Sequence, residues 1–209
     1  MVTNLDMAFK DREEAANKLI ESLSEYKGKN PLILAIPRGA VPMAKMIAED
    51  LQGELDVVLV HKIGAPGNPE YAIGSTDERG NVHVNIDIPK IDPKYIEETA
   101  QAELKVLKKR RETYGKNPID PKDRVVIIVD DGIATGSTML AAVRSIKQYA
   151  PKKLIAAIGV APPNAVDALE KEVDEVVCLE TPVMFFAVGQ FFENFPQVSD
   201  EEVISIIKD

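Results

Sequence analysis

Short, almost continuous aliphatic runs recur along the chain, with helical segments between them. Runs of this length without strict alternation are typical of strands buried on both faces, and such strands form parallel sheets that helices cover. We therefore expect an α/β fold with a mostly parallel central sheet of about five strands flanked by helices. The runs lie at residues 32–36, 55–60, 125–129, 154–160 and 176–179.

The segments between these runs have helical periodicity. Residues 41–51 carry an apolar stripe, and Gly53 follows just beyond it, which predicts a helix that links the first two runs in a βαβ unit. A second unit follows Val129, where an apolar stripe continues until Pro151 breaks the pattern. Further helices are predicted over 12–23, 93–114 and 200–207.

Two parts of the chain depart from this repeat. Residues 65–85 are dense in Gly, Pro, Asn and Asp and end in an alternating run, which predicts a mobile loop that passes into a hairpin. The terminal helices are expected to pack beside the sheet. We therefore predict one domain, 1–209, with a core of about 30–180 and a small hood formed by about 1–25 and 181–209.

Charge and composition exclude several classes of protein. The chain has 25 Lys and Arg against 34 Asp and Glu, a net charge of −9, so its surface repels polyanions outside any local basic pocket. We expect no nucleic-acid partner and no membrane partner. The single Cys178 cannot form an internal disulfide, the N-terminal region lacks the apolar core of a signal peptide, and no apolar run approaches ~20 residues. A cytoplasmic protein is therefore predicted.

The stretch VVIIVDDGIATGST, residues 125–138, leads from a buried strand through two carboxylates into a turn and a helix. Ligands of open α/β sheets bind at the carboxyl ends of the strands. The free N–H groups and positive dipole end of the helix favour an anion there, so this turn is predicted to hold a monophosphate. Hydroxyl donors come from Thr135, Ser137 and Thr138. The backbone freedom that lets the turn close around the anion comes from Gly132 and Gly136.

Asp130 and Asp131 need a donor-rich or cationic partner, because bare carboxylates would repel a neighbouring phosphate. The hydroxyls of a ribose could donate charge-assisted hydrogen bonds to both carboxylates, and a metal ion is the competing partner. A positive charge that develops about 5 Å from a carboxylate is favoured by about 3 kcal/mol at an effective dielectric of ~20. The same two side chains could therefore favour an oxocarbenium-like transition state.

This run resembles the 5-phosphoribosyl-1-pyrophosphate (PRPP) binding motif of the type I phosphoribosyltransferases. With PGNPEYAIG at 66–74, it is similar over nearly the whole chain to an uncharacterised group of predicted phosphoribosyltransferases. The sequence has no GxxxxGK[ST] and no GxGxxG, which leaves NTPase and dinucleotide-binding interpretations without a motif. The resemblance implies that PRPP and a small-molecule base are the partners, that Mg²⁺ is the cofactor and that the protein is a homodimer. It places the ribose phosphate on Gly132, Ile133, Ala134, Thr135, Gly136, Ser137 and Thr138.

The resemblance also implies roles for residues that follow the first two predicted strands. Arg38 and Gly39 fall in the turn that holds pyrophosphate in the resembled enzymes, and Lys62 could reach the same diphosphate. The segment 65–85 matches the position of the family's flexible catalytic loop, in which Glu70 is a candidate functional residue. Such a loop would exclude water from the reacting centre.

The basic run KKRR at 108–111 lies near the end of a predicted helix. Runs of this kind are mostly solvated helix faces, and that is our interpretation here. The alternative is that the run reaches the diphosphate of a neighbouring subunit.

The Phe-rich segment PVMFFAVGQFFENF, residues 182–195, resembles the base-binding hood of the 6-oxopurine phosphoribosyltransferases. The resemblance implies that Phe186 stacks on the base, that Ala187 offers main-chain groups to it, and that Glu193 joins Asp130 and Asp131 near the metal. The other interpretation is that Phe185, Phe191 and Phe192 close the core.

Two differences from the 6-oxopurine enzymes leave the identity of the acceptor base open. The 6-oxopurine enzymes carry Asp where this chain has Ala134, and they carry a Lys that IGVAPP, residues 158–163, lacks. We predict PRPP-dependent transfer of a 5-phosphoribosyl group to a nitrogenous base. The alternatives are a PRPP- or nucleotide-sensing regulator and a PRPP hydrolase.

Overall fold

A five-stranded parallel sheet forms the centre of the protein. The computed structural model describes residues 7–85 and 91–208, so that residues 1–6 of the predicted hood, and its last residue, 209, lie outside it. In chain order the elements are α1 (Arg12–Ser22), β1 (Leu32–Ala35), α2 (Val41–Leu51), β2 (Glu54–Val57), β3 (Val60–Ala65), β4 (Asn68–Asp77), β5 (Val82–Val84), α3 (Pro93–Tyr114), β6 (Val125–Gly132), α4 (Ser137–Lys147), β7 (Lys153–Val160), α5 (Pro163–Glu170), β8 (Glu175–Glu180) and α6 (Asp200–Lys208).

The strands of the central sheet are ordered β2-β1-β6-β7-β8, and every neighbouring pair is parallel. Alternate residues of each strand face opposite sides, as the pleat requires. Ile127 of β6 packs in a cluster with apolar residues of α1 and α2, whereas Val126 packs with those of α4 and α5. The predicted α/β fold with a parallel sheet of five strands is thus confirmed, and helices cover both of its faces.

The helix boundaries agree closely with the apolar periodicity. The Asp92 side chain accepts a hydrogen bond from the Lys94 N–H at 2.9 Å at the start of α3, and Gly115 ends this helix in the left-handed region at φ 71°. Sequence reasoning did not predict the short helix α5. None of the helices in the two described ranges is long and apolar enough to cross a membrane.

The prediction of a loop over residues 65–85 is wrong for most of that segment. β4 occupies Asn68–Asp77 and pairs with β3 and β5 in a separate antiparallel sheet. The reason is packing, since Ile63 and Ile73 are fully buried against Ala100 of α3 and hold the strands in place despite the many turn-forming residues. The expected hairpin is present as β4 and β5.

The solvated interpretation of the run 108–111 is wrong for Arg111. Its guanidinium is buried and donates to Asp56 at 2.7 Å, to both oxygens of Glu78 at 2.5 and 2.6 Å, and to the Val57 carbonyl at 2.8 Å. Helical spacing explains this position, because Arg111 lies four residues after the buried Leu107 and therefore on the same face of α3. Arg111 thus ties α3 to β2 and to the residue that follows β4.

Candidate functional site

The turns that follow β1 and β6 lie side by side at one end of the sheet. The two strands are paired, with Ala35 opposite Val129. The turns touch closely, because a Cβ added to Gly39 would lie 2.2 Å from Asp131 Oδ2. The parallel pairing therefore brings together two motifs that are far apart in the sequence, and the Pro37–Arg38 peptide bond in the first turn is cis.

A cavity of about 290 Å³ surrounds the start of α4. The helix begins at Ser137 after Gly136, which adopts φ 74° and has no side chain to cap the helix. Thr135 Oγ1 lies 3.1 Å from Ser137 Oγ and 3.4 Å from the Ser137 nitrogen, so hydroxyl groups and N–H groups converge at this end. The structure brings these sequence-predicted residues together around it: Asp130, Gly132, Ile133, Ala134, Thr135, Gly136, Ser137 and Thr138.

A second cavity, of about 390 Å³, lies on the other side of the carboxylate pair. Arg38, Gly39 and Asp131 line it, whereas Asp130 lines the first cavity. Val188 lines both, so the two cavities adjoin. The site is therefore a pair of adjacent depressions, one rich in hydroxyl and backbone N–H groups and the other containing arginine.

Asp131 is held by an arginine that sequence reasoning missed. Arg12 Nε donates to Asp131 Oδ2 at 2.7 Å, and both side chains are largely buried, with exposures of 12% and 11%. The two residues are 119 positions apart, so no local pattern indicates the pair. The N-terminal helix thus contributes a charged residue to the second cavity.

Asp130 has a different environment. Burial raises the pKa of its carboxyl group well above the ordinary value, and the adjacent Asp131 carboxylate raises it further. A hydrogen-bond donor or a cation beside Asp130 would stabilise its ionised form. The carboxylate pair is therefore suited to a ligand that brings hydroxyl groups or a metal ion to this point.

Arg38, Lys62 and Glu70 lie in three different settings. Arg38 lines the second cavity and forms an exposed ion pair with Asp200 at the start of α6, with Nη1 3.6 Å from the carboxylate. Lys62 lies within β3 opposite Ser75 and is not among the described residues that line either cavity. Glu70 lies in β4, and its side chain is outside the described part of the structure.

Most of the phenylalanines in 182–195 pack against protein. Phe191 and Phe192 are buried, and Phe185 contacts the Phe191 ring with a centroid separation of 5.1 Å. Phe186 differs, because 79% of it is exposed. The interpretation that aromatic residues close the core therefore holds for Phe185, Phe191 and Phe192, and Phe186 remains available to a ligand.

The backbone of Ala187 is engaged within its own turn. Its N–H donates to Gln190 Oε1 at 3.0 Å, as does the N–H of Phe186, and its carbonyl accepts from the Gln190 N–H at 3.2 Å. Gln190, which sequence reasoning did not single out, therefore fixes the segment that carries the exposed Phe186 ring.

The carboxylates available to a metal are fewer than the resemblance implies. Glu193 is exposed, and no group of three or more His, Cys, Asp or Glu side chains in the described ranges is arranged to hold a metal ion. Glu193 is thus not gathered with Asp130 and Asp131. Two adjacent carboxylates still fit Mg²⁺, which commonly binds one or two carboxylates and takes its other ligands from substrate phosphates and water.

Comparison with known proteins shows what the whole domain is similar to. A family model for the phosphoribosyl transferase domain matches residues 3–192. Two relatives, from the CDC 1551 and H37Rv strains of Mycobacterium tuberculosis, carry names that assign them provisionally to the phosphoribosyl transferases. Each is 38% identical over 204 residues, which are 95% of this chain and 46% of the relative, so the chain spans about half the length of the curated relatives it matches.

A solved structure is also similar along the whole chain. The crystal structure of TT1426 from Thermus thermophilus is 41% identical and superposes with a TM-score of 0.89, covering 96% of this chain and 98% of that one. The agreement in fold therefore extends over nearly the whole chain.

Proposed function

The chain belongs to the phosphoribosyl transferase domain family, and on that premise we propose that it transfers a 5-phosphoribosyl group from PRPP to a nitrogen of a base. The observation that carries this proposal is the pair of adjoining cavities with a carboxylate facing each. PRPP has a phosphate at one end, a ribose diol in the middle and a diphosphate at the other end. In the site, the donors at the start of α4 are followed by the two carboxylates and then by the arginine-containing cavity. This order matches that of the phosphate, the diol and the diphosphate in PRPP.

The 5′-phosphate is proposed to bind at the start of α4. The N-terminus of α4, with the hydroxyl groups of Thr135, Ser137 and Thr138, offers donors and a positive dipole end to a phosphate. Asp130 and Asp131 would then accept hydrogen bonds from the ribose hydroxyls. The diphosphate would lie in the second cavity beside Arg38 and Gly39.

The chemistry proposed for this site is a substitution at the anomeric carbon. The bond from that carbon to a diphosphate oxygen breaks and its electron pair leaves with pyrophosphate, while a base nitrogen forms the new bond and releases its proton. None of the described lining residues of the two cavities is Cys, His or Lys. The protein's contribution is proposed to be electrostatic, since the carboxylates would favour the positive charge that develops on the ribose.

Mg²⁺ is proposed to enter with the diphosphate, with Asp130 and Asp131 as the side chains that would hold it. When bound, it would neutralise charge that accumulates on the leaving pyrophosphate. It stays a prediction that Lys62 contacts the diphosphate and that Glu70 takes part in catalysis.

The acceptor base is proposed to stack on Phe186, whose exposed ring lies in the segment that follows the edge strand β8. The neighbouring aromatic residues are engaged in packing and cannot take this role. Ala134 brings no polar side chain to the cavity, so a base would be selected by its shape and by stacking more than by hydrogen bonds to side chains.

A turnover assay tests the proposed function. We expect the protein, with Mg²⁺ and PRPP, to form a nucleoside monophosphate from at least one member of a panel of purine and pyrimidine bases. Nucleotide and pyrophosphate should appear in equal amounts, measured by chromatography and a coupled pyrophosphate assay. Pyrophosphate without nucleotide indicates a hydrolase, and saturable PRPP binding without product indicates a sensor. Either result contradicts the proposal.

Gly39→Ala tests the contact between the two turns. The added Cβ would lie 2.2 Å from Asp131 Oδ2, so the carboxylate must move, and a displacement of about 1 Å can lower catalysis about 100-fold. We expect a fall of that order in kcat/KM with the cooperative melting transition retained. Gly28→Ala is the matched control, because Gly28 lies outside both cavities and should leave turnover unchanged. Equal kinetics in the two variants would contradict this arrangement.

A further inference from the structure

Arg12 is fixed on three sides, by Asp131 of β6 and by Phe195 and Pro196. Its Nε donates to Asp131, its Nη1 donates to the Pro196 carbonyl at 2.6 Å, and its guanidinium carbon lies 3.8 Å from the centroid of the Phe195 ring. Stacking on an aromatic face and hydrogen bonds along the planar fork together restrict a guanidinium to one orientation. The contacts of Arg12 therefore fix the orientation of its guanidinium group before any ligand binds.

The aromatic residues behind Arg12 explain this rigidity. The Phe195 ring stacks on Phe192 with a centroid separation of 4.8 Å, and Phe192 packs on Phe9 at 5.1 Å. The backbones of Phe9 and Phe192 also form a parallel bridge. The two ends of the chain are thus joined into one support, and the guanidinium of Arg12 lies at its outer end.

The third nitrogen of Arg12 faces the turn after β1. Nη2 has no hydrogen-bond partner within the described ranges, and a Cβ added to Gly39 would lie 3.1 Å from it. An arginine has five N–H groups in a planar fork, so donors remain on this side of the group. They are directed toward the same turn in which Arg38 and Gly39 lie.

The charge on the wall of this cavity is positive although the chain has a net charge of −9. Arg12 and Arg38 contribute two positive charges, and Asp131 contributes one negative charge. Asp131 is already paired with one edge of Arg12, and the ion pair that Arg38 forms with Asp200 at 3.6 Å is exposed. The other edge of Arg12 and the Arg38 guanidinium can therefore attract an anion. A diphosphate has the oxygen geometry that two guanidinium groups recognise.

We propose that Arg12 binds the diphosphate of the substrate through Nη2 while its Nε holds Asp131 in place. This inference rests on the proposed function and adds a residue from outside both sequence motifs. One guanidinium would then contact both the diphosphate and the carboxylate that is proposed to bind the ribose of the same substrate.

Binding measurements on Arg12→Gln test this role by calorimetry with Mg²⁺. The probes are PRPP, inorganic pyrophosphate and ribose 5-phosphate, which lacks the diphosphate. Loss of a charge-assisted hydrogen bond corresponds to a fall in affinity of about 10- to 100-fold. We expect that fall for PRPP and pyrophosphate and a clearly smaller one for ribose 5-phosphate. Arg12→Lys should lie between the wild type and Arg12→Gln.

Lys18→Gln is the matched control, because it removes a positive charge from the same helix at a residue that lines neither cavity. Its affinities should equal those of the wild type. The ratio of pyrophosphate to ribose 5-phosphate affinity is read within one variant, so partial unfolding of Arg12→Gln cannot mimic the expected change.

The outcomes separate the two proposals. If Arg12→Gln loses affinity equally for all three probes, or for none, while the wild type binds PRPP, the role of Arg12 is overturned and the proposed function stands. If the wild type binds neither PRPP nor pyrophosphate, the proposed function itself is overturned.

Discussion

Asp131→Asn is expected to lower kcat for phosphoribosyl transfer by about 100- to 1000-fold. The substitution keeps the shape of the side chain but removes the charge that favours a cationic ribose in the transition state, and loss of one such electrostatic group has effects of this size. The fold should persist, because the amide oxygen of Asn can still accept the hydrogen bond that Arg12 donates to Asp131. We expect only about 1–2 kcal/mol less free energy of unfolding from the weaker bond.

The measurement is single-turnover kinetics with saturating PRPP, together with thermal unfolding of the same preparations. Asp167→Asn is the matched control, since it removes a carboxylate from the exposed surface of α5. Wild-type turnover in Asp131→Asn would remove Asp131 from the mechanism. Loss of activity in the Asp167 control would show that a change in overall charge is responsible.

Arg111→Met is expected to lower the free energy of unfolding by about 3–5 kcal/mol. Methionine fills much of the same space but leaves the buried Asp56 and the largely buried Glu78 without their shared cation, and uncompensated buried charges have this cost. Lys109→Met is the control on the same helix, because Lys109 is exposed and its replacement should change stability by less than about 0.5 kcal/mol. Denaturant unfolding measures both variants, and equal stability of the two would contradict the role given to Arg111.

The stability deficit of Arg111→Met should also depend on pH. Burial already raises the pKa of Glu78, and the nearby Arg111 partly opposes that shift. Without the arginine the pKa of Glu78 rises further in the folded state, so the folded state takes up a proton as the pH falls through that value. Folding is then favoured at lower pH, and the deficit should be smaller at about pH 5 than at about pH 8. A deficit that grows as the pH falls would contradict this explanation.

The central sheet could be predicted from the sequence because its signal is local. Strands such as β6 are buried on both faces and therefore read as continuous aliphatic runs, and the turn and helix that follow them have their own residue preferences. Residues 125–138 also contain, in one uninterrupted segment, the side chains proposed to bind the phosphate and the ribose, so no tertiary information is needed to propose them.

The residues that were missed depend on contacts between distant segments. Arg12 meets Asp131 across 119 positions, and Arg111 lies in a basic run whose composition indicates a solvated surface, although packing buries this one member. β4 was misjudged for the same reason, since Ile73 is held by α3 while its flanking residues suggest a loop. In each case tertiary packing outweighs the local preference.

The phenylalanines of residues 182–195 differ in their roles, although they lie close together in the sequence. The phenylalanines between 182 and 195 suggest a surface for a flat base, but the structure uses two of them, Phe192 and Phe195, as a support for Arg12 together with Phe9. Only the position of each ring in the fold separates a supporting residue from an exposed one such as Phe186.

A crystal structure of the wild-type protein with Mg²⁺ and PRPP, in the absence of a base, would show directly where each group of the substrate binds. We expect the 5′-phosphate against the first turn of α4 and the ribose hydroxyls on Asp130 and Asp131. The diphosphate should lie in the second cavity, in contact with Arg12 and the Arg38–Gly39 turn. PRPP bound in the reverse orientation, or outside the two cavities, would contradict the account.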